Sequence, residues 1–270
     1  MAPVTVAALG DNCIDRYLAL GQSTVGGNAV NVAVHLARRG TAAAYYGAVG
    51  NDAAGERVAA ALRANGVDTG GLRLSHGETA YTDIAFGDGG ERVIAHESFG
   101  VCAGYRPDPD EIAAMARLRH VHLGWLDDGG ASRRALLAAG ASVSQDLSVT
   151  PSSAERHAGG LAIAFASAGP DPAEGEALVR SLLGEGARLA VVTCGAAGSL
   201  ASDGGAIARM DAIPVAVVDT LGAGDTFIAG FIAARLAGAD LMPSLAAGRD
   251  AAAETCGHLG GFPQASMMLA

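Results

Sequence analysis

The sequence predicts an α/β protein, a mostly parallel sheet covered by helices on both faces with a small β element attached. Three observations carry this. Short apolar runs alternate with helical segments from the first residues onward, several of those runs are apolar enough for strands buried on both faces, and one segment switches to polar alternation around a glycine-rich turn. The 270 residues are half hydrophobic, with a mean hydropathy of +0.29. That composition can bury a sizeable core, and the expectation is one domain spanning 1–270.

Val4 to Leu9 is a short apolar run that ends in Gly10 and Asp11 and reads as a buried strand. Asn28 to Arg39 places Val30, Ala33, Val34 and Ala37 on one face and closes with two arginines before Gly40, a helix with both ends marked. "AAAYYGAVG" is the next strand, and Ala53 to Asn65, followed by Gly66, the next helix. This β-α-β order points to parallel pairing. From Glu78 to Ile94 the pattern changes: "TAYTDIAF", the turn "GDGGE" and "RVIAHE" predict an antiparallel hairpin with one exposed face. It reads as a flap outside the main sheet. "HVHLGW", "ASVSQDL", "LAIAFAS", "LAVVTCG" and "AIPVAVVDT" are the remaining strand candidates, with Pro107, Pro109, Pro170 and Pro172 in connections.

The formal net charge is −10 and the acidic residues are scattered, which opposes binding to nucleic acid or an anionic membrane and favours a small-molecule partner. Cys13, Cys102, Cys194 and Cys256 lie far apart without a C-x-x-C pair or a histidine at metal spacing, so they read as reduced thiols. "MAPVTVAALG" lacks a basic segment followed by a long apolar one, and no apolar stretch is long enough to span a membrane. A cytoplasmic setting is expected. The chain has no lysine: all 18 positive side chains are arginine. That excludes a P-loop, a protein-kinase site and Schiff-base chemistry, each of which needs a lysine.

In "VDTLGAGDTFIAGF", Val218 to Phe231, the glycines Gly222 and Gly224 sit immediately before an apolar helix. With Ala223 between them they let backbone N–H groups converge without side-chain obstruction, where the helix start adds partial positive charge. That is an anion hole. Asp225 is then either an ordinary helix cap or a base that deprotonates a hydroxyl while negative charge builds beside those amides. A second candidate is "VGGNAVNVAVHLARRG", where Gly26 and Gly27 permit close approach and Asn28 and Asn31 project from a helix start. Amides there suit a polyhydroxylated ligand or simply cap the helix. "LGDNCID" adds Asp11, Asn12 and Asp15 after the first strand, where the strand ends of open α/β sheets face ligands.

"GGNAVN" followed much later by "DTLGAGDTF" resembles the ribokinase-like, or PfkB-type, carbohydrate kinases, and the likeness runs over nearly the whole chain in the family's order. It implies a three-layer α/β/α sandwich with a β lid, here drawn from about 11–24 and 72–102, and transfer of the γ-phosphoryl group of ATP to a sugar hydroxyl. By the resemblance Asp225 is the catalytic base and Gly222, Ala223 and Gly224 the anion hole. Asp15, Gly27 and Asn31 match sugar contacts, and Asp11 and Asn28 fit the branch of the family that acts on fructosamines. "GDNCID", "GGNAVNVAV", "FASA" and "GAGDTFIAGF" are most similar to that branch. The acceptor it implies is the 6-hydroxyl of a fructosamine such as fructoselysine, with ribose, fructose, 2-keto-3-deoxygluconate or a nucleoside as alternatives. Thr193, Gly195 and Gly198 match the strand-end turn that meets the nucleotide.

The N-x-x-E motif by which many relatives organise Mg²⁺ is missing from "FASAGPDPAEGE", where Ser167 stands at the asparagine position. Glu174 or Glu176 replaces the acid or neither does, so no protein metal ligand is assigned. Asp219 resembles an acid that helps bind a monovalent cation such as K⁺ in some relatives, or has a turn role. Trp125, the single tryptophan, follows a strand beside Asp127 and Asp128 and is either core or a wall of the substrate site. His120 and His122 read as packing residues. An exposed flap strand could pair with a second copy, so a homodimer through the lid is expected. Two other classes stay open. A nicotinamide-dependent oxidoreductase would need the G-x-G-x-x-G turn that is absent here, and a sugar sensor would have no use for an acid behind an anion hole.

Overall fold

A computed structural model describes residues 3–86, 92–150 and 156–269. In chain order the strands are β1 (Val6–Leu9), β2 (Cys13–Tyr17), β3 (Gln22–Gly26), β4 (Ala43–Gly50), β5 (Asp68–Ser75), β6 (Tyr81–Phe86), β7 (Arg92–Ser98), β8 (His120–Leu123), β9 (Val143–Asp146), β10 (Ile163–Ser167), β11 (Ala190–Thr193), β12 (Ser199–Ser202), β13 (Ala208–Met210) and β14 (Met267–Met268). The helices are α1 (Asn28–Arg38), α2 (Ala53–Ala64), α3 (Pro109–Ala116), α4 (Ala131–Ala138), α5 (Pro172–Gly184), α6 (Ala223–Leu236) and α7 (Leu241–Thr255).

Nine of these strands form the main sheet in the order β13-β12-β11-β10-β9-β8-β1-β4-β5. All pairs are parallel except β11–β12 and β12–β13. The period of two along β1 splits its side chains between the faces. Val6 and Ala8 enter one core with Val30 and Val34 of α1, Val58 of α2, Phe231 of α6 and Leu245 of α7. Ala7 and Leu9 enter the other with Met115 of α3, Leu136 of α4 and Val179 of α5. β1 is therefore dry on both sides, which is why its run reads as continuously apolar. Strand order reverses beside β1: β4 and β5 lie to one side and β8 to β13 to the other. The carboxyl ends of β1 and β8 consequently flank a crevice, the place where open α/β sheets take ligands.

The lid is a second sheet, β14-β3-β2-β6-β7. The expected hairpin is present, with β6 antiparallel to β7, while its "GDGGE" turn lies outside the described residues. Two boundaries differ from expectation. Residues 72–75 belong to β5 on the edge of the main sheet, because Gly71 and Leu72 continue its pairing with β4. The lid instead gains β3 up to Gly26 and, from the other end of the chain, β14, which pairs with Ser23 and Gln22. Gln264 reinforces that join by bonding both the amide and the carbonyl of Val25 at 2.8 Å.

"AIPVAVVDT" is not a strand: residues 211–216 carry no regular structure, and Ile213, Val215, Val217 and Val218 are exposed. Its apolar β-branched residues mimic a strand, but beyond β13 no strand of the described residues is there to pair with. Pro109 and Pro172 are not in connections either. They occupy the first turns of α3 and α5 behind Asp108 and Asp171 caps, where a missing N–H costs nothing.

Candidate active site

The site is built around the start of α1. Asp11, in the turn after β1, accepts the backbone N–H groups of Asn28 at 3.0 Å and Ala29 at 3.1 Å. It caps the helix from outside, so its two oxygens serve α1 before they serve any ligand. Burial raises the Asp11 carboxyl above its ordinary range, and those amides partly offset this. Gly27 precedes the helix at φ +106°, and a Cβ there would lie 2.5 Å from the Cα of Asn12. Only glycine fits.

This start directs Asn28 and Asn31 at the first turn of α6. The Nδ2 of Asn28 donates to Oδ1 of Asp225 at 2.6 Å, and the Nδ2 of Asn31 to Oδ2 at 2.7 Å. Carboxylates only accept, so each amide must turn its nitrogen inward. The Oδ1 atoms of Asn28 and Asn31 are buried without a hydrogen-bond partner among the described residues, an arrangement that suits donors arriving on a ligand. Burial pushes the Asp225 carboxyl up to about 7, helped by the charges of Asp146 and Asp11 and opposed by the two amides. A carboxylate poised near neutrality can both take and release a proton.

Gly222 caps α6 in the left-handed region at φ +74°, where a Cβ would stand 2.6 Å from the Cα of Gly261. Gly224 is exposed, with nothing within 4 Å of its missing Cβ. The amide of Ala223, by contrast, is engaged with the Thr220 carbonyl at 3.2 Å. The opening toward an anion thus lies on the Gly224 side of the turn. Asp219 fixes the turn from behind: it accepts the Tyr17 hydroxyl at 2.6 Å, the Gly260 amide at 2.9 Å and the Leu221 amide at 3.0 Å.

Asp15 is buried in the lid on β2, beside Gly26 of β3, and accepts the Cys13 thiol at 3.3 Å. Burial and the nearby acids raise that thiol well above its ordinary range. Trp125 stacks on Phe99 with ring centroids 3.9 Å apart and packs with Cys13, Ala80 and Cys102, forming a wall where the lid meets the sheet. The remaining candidates form a separate group. Ser167 and Thr193 are register partners at the ends of β10 and β11, and the Cys194 amide donates to the Gly198 carbonyl at 2.8 Å to close the turn through Gly195. Glu176 is committed to ion pairs with Arg180 and Arg209, and Glu174 is exposed in the first turn of α5. Among the described residues no group of three or more His, Cys, Asp or Glu is placed to hold a metal ion.

Three participants escaped the sequence. Asp146 ends β9 and accepts the Asn28 amide at 3.0 Å; an acid at a strand's carboxyl end was the available signal. Gly261 packs on the Asn31 amide, and its carbonyl meets His35 Nε2 at 2.7 Å. No local pattern marks either. A cavity of about 580 Å³ lined by Arg119, Arg188 and Arg235 opens at the opposite ends of the strands, away from this cluster.

Residues 17–99 and 154–265 match the pfkB family carbohydrate kinases. The chain is 36% identical over 263 residues to fructoselysine 6-kinase of Escherichia coli (strain K12), covering 96% of this chain and 99% of that one. It is 31% identical over 265 residues to a fructosamine kinase of Bacillus subtilis (strain 168), covering 94% and 92%. The fold matches adenosine kinase from Sinorhizobium meliloti with a TM-score of 0.79 at 24% identity, covering 99% and 98% of the two chains. It also matches Arabidopsis thaliana ribokinase complexed with ribose and ATP, again at 0.79, with 22% identity and 96% and 94% covered. On its sequence, and with a fold that agrees, the chain belongs to the pfkB family of carbohydrate kinases.

Proposed function

We propose that this kinase phosphorylates the 6-hydroxyl of a fructosamine such as fructoselysine. The observation that carries the reading is the Asp225 carboxylate, fixed at the start of α6 by amides from α1 and held near neutral pKa. Asp225 takes the hydroxyl proton, the sugar oxygen forms its bond to the γ-phosphorus, and the bond from that phosphorus to the β,γ-bridging oxygen breaks to release ADP. The Gly222–Gly224 turn and the positive end of α6 face the charge that develops on the transferring group. Mg²⁺ enters with ATP and offsets phosphate charge in a chain with no lysine. Ser167, Thr193, Gly195 and Gly198 form the nucleotide side. Asp15, Gly27, Asn28 and Asn31, with Trp125 as a wall, form the sugar side beneath the lid, whose closure excludes water.

Two relatives bearing fructosamine-kinase names over nearly their full length support this acceptor. Asp11, whose charge reaches Asp225, is the acid proposed to meet the substrate's protonated amine. A K⁺ ion at Asp219 would share a carboxylate that already accepts three donors; rates in potassium and sodium buffers separate that role from a purely structural one. The reading extends to a homodimer formed along β7, an edge strand with Val93 and Ile94 exposed, which sedimentation tests. The central test is steady-state ADP release with fructoselysine, fructose, ribose and a nucleoside. At least tenfold higher kcat/KM for fructoselysine is expected, on the scale of one charge-assisted hydrogen bond, with loss of about 10²–10⁴ in kcat for Asp225→Asn. Equal rates for fructose, or preference for ribose or a nucleoside, reject the fructosamine; near wild-type turnover in Asp225→Asn rejects the base.

A further inference from the structure

We propose that Asp146 is a positioning residue of the phosphoryl-transfer site, a buried anion that locks the Asn28 amide and through it the Asp225 carboxylate. The inference rests on the reading of Asp225 as the base. Asp146 is the last residue of β9, between β8 and β10, and is 7% exposed. Its Oδ1 accepts the Ser148 amide at 2.9 Å. Its Oδ2 accepts Asn28 Nδ2 at 3.0 Å, the same nitrogen that donates to Asp225 at 2.6 Å. An amide nitrogen carries two hydrogens, so each carboxylate takes one.

The consequence is a fixed amide. Turning Asn28 over would put its oxygen against two carboxylates, a strongly disfavoured contact in a buried site. As placed, that oxygen is buried without a hydrogen-bond partner among the described residues and lies 2.5 Å from where a Cβ on Gly124 would be. A chain keeps an orphaned acceptor when the opposite end of the group is held firmly. Local structure does not demand the charge. The bond from Oδ1 to the Ser148 amide closes an Asx turn, which asparagine or serine would close equally well. The second oxygen and the negative charge have their use at Asn28.

A second anion beside the site also makes Asp225 harder to ionise. The groups that face Asp225 are Asp146 from β9, Asp11 from the turn after β1, and the Asn28 and Asn31 amides from α1; both charges among them are negative. Those facing Asp146 are the Asn28 amide, Ser148 and, across that amide, the Asp225 carboxyl.

The test is the pH profile of kcat/KM with saturating Mg-ATP in the full chain. Asp146→Asn keeps the shape and the turn but removes the charge, and should move the inflection assigned to Asp225 down by about half a pH unit or more. kcat should fall roughly tenfold, with ATP affinity unchanged and Asp146→Glu restoring the wild-type inflection. Should Asp146→Asn fail to fold, Asp146→Ser, which keeps an oxygen for Ser148, should give the same displacement. An unchanged inflection in a folded, ATP-binding variant overturns the proposal. So does full additivity of Asp146→Asn with Asn28→Ala, since residues acting through one bridge are coupled. Near wild-type turnover in Asp225→Asn is a different result, and it removes the base assignment itself.

Discussion

Asp225→Asn should stabilise the chain while it silences the site, by an amount that grows with pH. The carboxyl titrates at about 7 in the folded chain against an ordinary 3.8, so the fold holds the proton more tightly than the unfolded chain does. The cost of ionising it within the fold is absent below pH 3.8, grows between the two values and is complete above 7. At about 1.4 kcal/mol for each tenfold it reaches on the order of 4 kcal/mol. Asparagine never ionises, but it offers one oxygen where the amides of Asn28 and Asn31 now meet two. That lost bond costs about 1 kcal/mol, less if one amide turns to present its buried, unpartnered oxygen. The net gain above pH 7 is roughly 2–3 kcal/mol, a rise in Tm of about 5–10 °C for a chain of this size. Thermal melts of both proteins from pH 5 to pH 8 should diverge with rising pH and nearly meet at pH 5. A Tm difference that does not change with pH, or a less stable variant at pH 8, would refute the claim that burial has made this carboxylate costly.

Asn31→Ala should raise the sugar KM by roughly ten- to a hundredfold and leave the ATP KM within about twofold, read from initial rates with each substrate varied. Gly222→Ala forces a Cβ into the left-handed region and against Gly261; kcat should fall at least a hundredfold and Tm should drop, because both the turn and the anion opening are disturbed. His120 and His122 are buried and share the Ser144 hydroxyl, and burial lowers them to about 4 and about 3. Their stabilising neutrality is complete above the ordinary 6.5 and is lost as pH falls toward those values. His122→Phe should therefore lose less Tm than wild type between pH 7 and pH 5, a difference of about 2 kcal/mol by calorimetry; equal losses would show that His122 does not contribute.

The parts of this molecule that read correctly from sequence are those whose causes are local. The ends of α1 are marked by glycines and arginines within the chain itself, and the start of α6 by Gly222 and Gly224, so both helices could be placed. The two asparagines were legible as a pair, both now seen to meet Asp225, because three-residue spacing puts them at one helix start. What failed had distant causes. The run from Ala212 looked like a strand but had nothing to pair with, and β14 joined the lid from across the chain. Asp146 looked like an ordinary polar position in a strand until the Asn28 side chain, 118 residues earlier, was seen against it. Asp11, expected on the substrate side, also accepts the amides of α1, a partnership that no local pattern announced.

The Tyr17–Asp219 hydrogen bond spans 202 positions of sequence and joins the end of a lid strand to the turn behind the anion opening. The lid is thereby not an interchangeable cap. A designer who transplants β2 and β3 from a relative to change the acceptor sugar also transplants whatever stands at position 17, and with it one of the three donors that hold the 219–222 turn in shape. Specificity and catalytic geometry are then inherited as a unit, so position 17 must travel with position 219 in any such chimaera. A library that varies the lid alone, with Tyr17 free to change, would discard active catalysts for reasons unrelated to how well they recognise the sugar.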